Sequence, residues 1–124
     1  MRLGSAAAFA ALLANTAVAG DAARGERVFE RCYACHSVDP AETELPGPNL
    51  AGVVGRRAAR RDDFDYSPAL REAGRRGLVW DEAALDAFLA DPASAVPGTS
   101  MNFPGLRNEA DRRDLIAYLK AAGP

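Results

Sequence analysis

"RCYACHS", residues 31–37, holds both cysteines and the single histidine of the chain. Several chemistries use such a cluster. A disulfide between Cys32 and Cys35 is the plain reading if the chain is exported. Zinc wants four ligands, and two Cys with one adjacent His are hard to complete. A redox-active CxxC sits in an alternating βα pattern, and no such pattern is present. In covalent haem attachment, the two thiols add to the two vinyl groups and the next residue, His36, coordinates iron. Residues three apart lie on one face of a helical turn, so both sulfurs reach one porphyrin edge. Haem attachment uses all three residues. A disulfide-stapled binding domain without haem is the alternative, and an absorption spectrum separates the two.

The chain has 124 residues, room for one small domain. Apolar residues make up 48 %, with mixed charges, which is a globular composition. The formal net charge of −2 argues against a nucleic-acid binder. Phe, Tyr and Trp together number only nine, so the core is thin unless something else fills it. The opening "MRLGSAAAFAALLANTAVAG" reads as one Arg, an apolar Ala/Leu run and a small-x-small site at Ala17-Val18-Ala19. That is a secretory signal peptide over residues 1–19, cleaved after Ala19, with the folded domain over residues 20–124. Its apolar run is shorter than the ~20 residues of a spanning helix. Losing Arg2 with the leader makes the mature balance more acidic. Export implies an oxidising compartment.

With His36 as one axial ligand, histidine is exhausted. Once the leader is gone, Met101 is the only methionine. It lies in "VPGTSMNFPG", a loop stiffened by Pro97, Gly98, Pro104 and Gly105. A lone Met is otherwise a core gap-filler, but Met101 has no apolar neighbours at helical spacing. His/Met ligation favours reduced iron and leaves no position for oxygen or substrate. That favours electron transfer over catalysis.

The spacing predicts helices only. Asp21 caps a helix running toward Cys35, with Gly25, Val28, Phe29 and Cys32 on one side. Ser67 before Pro68 is an N-cap with Pro at the first helical position, and Gly74 is the expected stop. Asp81 caps a helix bearing Leu85, Phe88 and Leu89 that stops before Pro92. Asn108 caps the last helix, whose buried stripe includes Leu115, Tyr118 and Leu119. The expected fold class is all-α: about four short helices wrapped around one covalently attached haem that serves as the missing core.

In order, "GDAARGERVFERCYACH", "GPNLAGVVGR", "FDYSPAL", "LVW", "PGTSMNFPG" and "DLIAYLK" resemble a class I c-type cytochrome, the small soluble kind related to mitochondrial cytochrome c. The resemblance covers nearly all of residues 20–124. It implies the cytochrome c fold and one haem c held through Cys32 and Cys35. It implies that the backbone carbonyl of Pro48 accepts the Nδ1–H of His36. Arg56, Tyr66, Trp80 and Thr99 match positions around the buried propionates, where a carboxylate needs donors or a cation. Gly25 and Phe29 match a contact with Leu115 and Tyr118. Phe103 matches the aromatic beside the exposed haem edge.

There are departures. Leu70 stands where the family usually has Asn, and Phe88 where many members have a Tyr whose hydroxyl bonds the ligand sulfur. Three extra residues separate Tyr66 from Trp80. Lys120 is the only lysine, whereas the mitochondrial proteins carry a lysine ring around the haem edge. Arg31 and Arg107 occupy two of those positions, and Ala93, Ser94 and Ser100 replace others. The expectation is a monomeric one-electron carrier, with no catalytic residues, in a bacterial periplasm, since mitochondrial members lack such a leader. Its partners would be redox complexes: a quinol-oxidising complex, a terminal oxidase, a photosynthetic reaction centre or a peroxidase. The alternative is a haem peroxidase or ligand sensor in which Met101 dissociates.

Overall fold

The computed structural model describes residues 1, 3–12 and 18–123. Arg2, residues 13–17 and Pro124 lie outside the described residues, and with them part of the expected leader, including Ala17. Five helices follow in order: α1 (Ala22–Phe29), α2 (Pro68–Arg75), α3 (Glu82–Ala90), α4 (Pro92–Ala95) and α5 (Glu109–Ala121). No strand occurs among the described residues; a single antiparallel bridge pairs Arg57 with Val79. No helix among them is long and apolar enough to cross a membrane.

Each expected cap is made. Asp21 accepts the Arg24 N–H at 3.0 Å, Ser67 Oγ the Leu70 N–H at 3.1 Å, Asp81 the Ala84 N–H at 2.8 Å and Asn108 the Asp111 N–H at 3.1 Å. These bonds satisfy amides that a helix start leaves without partners. Two boundaries differ from expectation, and one short helix is additional, while α3 stops before Pro92 as expected. The first helix does not run on to Cys35: α1 ends at Phe29 and tightens into a 3-10 turn over Glu30–Cys32. The Cys35 carbonyl accepts the Gly47 N–H at 2.8 Å, so a distant loop takes the place of a further helical turn. The second helix passes Gly74, which is buried inside it; Gly77, at φ 99°, makes the left-handed turn beyond its end. Pro92 opens the short helix α4, with Asp91 as its cap.

The crossing of α1 and α5 closes the fold. A Cβ on Gly25 would collide with the Asp114 carbonyl and stand 2.8 Å from the Tyr118 Cβ, so only glycine lets the two backbones meet. The Asp21 N–H donates to Asp114 Oδ1 at 2.8 Å across the same crossing. Phe29 is 0 % exposed and its ring lies 5.4 Å from that of Tyr118. Full burial of one such ring contributes roughly 1.5–3 kcal/mol. Leu115 packs in the same cluster. The contact of Gly25 and Phe29 with Leu115 and Tyr118 is therefore formed. Leu3, Phe9 and Leu12 stand exposed and outside this core.

Candidate cofactor site

The helices enclose a cavity of about 540 Å³, within the range of cofactor pockets. Its walls come from separated segments. The 3-10 turn and its exit bring Cys32, Cys35 and His36; the next loop brings Gly47 and Pro48. Arg56 and Tyr66 come from the middle of the chain, and Trp80 and Phe88 from the entry and body of α3. Thr99, Met101 and Phe103 complete the wall from the loop before α5. All ten residues expected at a cofactor from the sequence thus line one cavity.

His36 is held from two sides. Its Nδ1–H donates to the Pro48 carbonyl at 2.7 Å, which leaves Nε2 as the lone-pair nitrogen. Burial pushes its pKa below the ordinary imidazole value, and the Pro48 carbonyl opposes that shift only in part. The ring is therefore neutral at pH 7, the form that binds a metal. Behind it sits Gly47, buried, where a Cβ would lie 2.5 Å from His36 Cε1 and 2.8 Å from the Cys35 oxygen. Sequence reasoning missed Gly47. The signal was its place between Pro46 and Pro48, but the need for glycine comes from the ring packed on it.

Asn49, also missed, fastens the loop that carries Pro48. Its Nδ2 donates to the carbonyls of Asp39 at 2.6 Å and Glu42 at 2.9 Å, and its Oδ1 accepts the Ala51 N–H at 2.9 Å. The Leu50 N–H donates to the Ser37 carbonyl at 2.8 Å, which returns the loop to the motif.

Cys32 and Cys35 are free thiols, Cys32 half-buried and Cys35 exposed. Burial raises the Cys32 pKa; Arg31 opposes the shift and Cys35 adds to it. No group of three or more potential metal-binding His, Cys, Asp or Glu side chains occurs among the described residues, so nothing completes a zinc site around the motif.

On the loop before α5, the Met101 N–H donates to Thr99 Oγ1 at 3.3 Å. The loop is pinned to the end of α3: the Leu106 N–H donates to the Leu89 carbonyl at 2.8 Å. A Cβ on Gly105 (φ 105°) would collide with the Ala90 carbonyl. Leu70 and Phe88, two of the departures, both line the cavity. Phe88 packs against Trp80 with ring centroids 4.9 Å apart and the rings tilted by 57°.

Arg56 is half-buried, and its guanidinium donates only to carbonyls, those of Ala51 at 2.9 Å and Asn49 at 3.2 Å. No carboxylate pairs with it among the described residues. Burial lowers its pKa first, with Arg61 and Arg60 adding repulsion against a Tyr66 contribution that raises it. Burial likewise raises the Tyr66 pKa. A partly desolvated cation on an apolar cavity wall is a place for an anionic group. The cavity thus carries what a covalently attached haem requires: two thiols, a neutral oriented imidazole, a thioether and a cation for carboxylates. The residues present fit that group.

The family model described as cytochrome c matches residues 22–123. The chain is 46 % identical over 106 residues to cytochrome c2 of Rhodomicrobium vannielii, covering 86 % of this chain and 82 % of that one. Among solved structures, cytochrome cH from Methylobacterium extorquens superposes with a TM-score of 0.75 at 47 % identity, covering 82 % of this chain and 99 % of that one. Cytochrome c2 from Rhodospirillum centenum gives a TM-score of 0.79 at 39 % identity, covering 85 % of this chain and 100 % of that one.

Proposed function

Because the chain belongs to the cytochrome c family, with its fold and its covalently bound haem c, we propose that this electron carrier is a periplasmic shuttle between membrane or soluble redox complexes. Cys32 and Cys35 hold the haem, and His36 and Met101 ligate its iron. The bound haem supplies a one-electron iron couple. The observation that carries this reading is the convergence of both thiols, the histidine and the methionine on one apolar cavity.

Each residue has a distinct task. Pro48 fixes the His36 tautomer and strengthens it as a donor. Met101, on a pinned loop, would supply the iron with a second protein ligand beside His36, which favours electron transfer over binding of a substrate molecule. Arg56, Tyr66, Trp80 and Thr99 surround the carboxylates of the group. Cys35 and Phe103 reach from the cavity wall toward the surface, so an electron leaves there without atoms being transferred. Residues 1–19 are a leader removed after Ala19. The mature chain works as a monomer with a quinol-oxidising complex, a terminal oxidase, a photosynthetic reaction centre or a peroxidase.

The test is the absorption spectrum of the exported protein before and after acidified organic extraction. Colour stays with the polypeptide in the parent and is extracted from the Cys32→Ser/Cys35→Ser variant. A potentiometric titration follows a one-electron slope of about 59 mV per decade. Extractable colour in the parent, or a two-electron slope, overturns the reading.

A further inference from the structure

Charge is unevenly distributed along this chain. Residues 56–76 carry seven arginines (Arg56, Arg57, Arg60, Arg61, Arg71, Arg75, Arg76) against four carboxylates (Asp62, Asp63, Asp65, Glu72). The rest, from Gly20 on, carries seven basic against thirteen acidic residues. The fold gathers the basic stretch. Gly74 of α2 packs against the Ala58 carbonyl, with Ala59 close by. The Ala58 N–H donates to the Leu78 carbonyl at 2.9 Å and the Trp80 N–H to the Arg56 carbonyl at 2.8 Å, so Arg57 and Val79 stand directly opposite each other. Arg57, Arg60, Arg75 and Arg76 are all exposed around these contacts, and Val79 is a large apolar side chain left 41 % exposed among them.

Local ion pairs do not cancel this face. Arg61 is paired with Asp63 at 2.6 Å, and Arg71 with Asp65. Arg75 and Arg76 share the single carboxylate of Glu72, at 2.9 and 3.1 Å. Arg57 and Arg60 have no carboxylate partner among the described residues, and Asp62, two residues after Arg60 in the chain, forms no ion pair there either. At the haem edge, where mitochondrial members carry lysines, Arg31 pairs with Asp111 at 3.7 Å. Asp91 there is held below the ordinary carboxylate range, first by the Ser94 hydroxyl and further by Arg107. The positive excess is therefore concentrated in residues 56–76 and not at Arg31 and Arg107. Arg57 also lines the cofactor cavity, so a partner seated on this face stays close to it.

We propose that Arg57, Arg60, Arg75 and Arg76 around Val79 form the docking surface for an acidic patch on a redox partner protein. An apolar centre with a charged rim is the usual anatomy of such a contact, and cations in an otherwise acidic molecule orient the encounter. The proposal rests on the electron-carrier reading.

The experiment uses the reduced holoprotein and two small oxidants of opposite charge, hexacyanoferrate(III) and tris(phenanthroline)cobalt(III). Stopped-flow rates are read at about 10 mM and about 150 mM salt, where the Debye length falls from ~30 Å to ~8 Å. Arg57→Gln/Arg60→Gln slows the anionic oxidant about three- to tenfold at low salt, flattens its salt dependence and speeds the cationic one. A shift in potential alone would move both rates in the same direction. Arg107→Gln has the smaller effect. Separately, an oligoglutamate peptide titrated into the labelled protein shifts the amides of Arg57, Arg60, Arg76 and Val79. Shifts centred on Tyr33, Cys35 and Phe103, or no shifts, overturn the surface. The peptide titration reads the surface without any electron transfer, whereas a protein that cannot be reduced defeats the carrier reading instead.

Discussion

Gly47→Ala is the smallest change that acts on His36 without touching a ligand. The new Cβ would stand 2.5 Å from His36 Cε1, 2.8 Å from His36 Nδ1 and 2.8 Å from the Cys35 oxygen. Carbon atoms rest at about 3.5–4.0 Å, so the ring or the loop must give by about 1 Å. Both are tied. The Gly47 N–H donates to the Cys35 carbonyl at 2.8 Å, and the next residue's carbonyl holds His36 Nδ1 at 2.7 Å. Overpacking costs about 1–3 kcal/mol, and losing one of these bonds about 1 kcal/mol more. The stiffer unfolded chain returns about 0.4–1 kcal/mol. The net is a loss of about 2 kcal/mol, or roughly 8–16 °C in Tm for a domain of this size. Gly123→Ala is the control, because its Cβ meets nothing nearer than the Lys120 oxygen at 3.5 Å. Thermal unfolding of both holoproteins gives the comparison. The potential of Gly47→Ala should also rise, since a weaker Nδ1–H bond makes His36 a poorer donor to oxidised iron. A melt within about 0.5 kcal/mol of the parent, with the potential unchanged, would refute the reasoning.

Met101→Ala should lower the reduction potential and remove the weak sulfur-to-iron band at the red end of the oxidised spectrum, because a thioether that favours reduced iron is gone; an unchanged spectrum means another group is the ligand. Asp91 caps α4, and its pKa is lowered first by the Ser94 hydroxyl and then by the Ser94 backbone N–H. A lowered folded value means its contribution is full above the unfolded pKa of about 3.9 and is lost as pH falls through the folded value. Asp91→Asn keeps a capping acceptor but not the titration, so its deficit in urea midpoint at about pH 7 should shrink at about pH 3. A constant deficit across that range sinks the account.

Local chemistry made much of this molecule legible from its residues. Asp21, Ser67, Asp81 and Asn108 bond amides within their own next turn, so their caps could be read without knowing the fold. The CYACH spacing is local for the same reason, since three positions along one turn set which atoms share a face. Other features depend on what arrives from far along the chain. Gly74 read as a helix stop because glycine usually is one, yet it lies inside α2 and is glycine because Ala58 packs on it. The chain leaves the motif where the Gly47 N–H reaches the Cys35 carbonyl, a bond between segments that no short window contains. The exposed positive face arises the same way. Arginines spaced along residues 56–76 were visible as composition, but which of them keep a carboxylate partner follows from how the loop folds onto α2. Bonds within a turn are dictated by neighbours in sequence, whereas steric exclusion and charge pairing are settled only when distant segments meet in space.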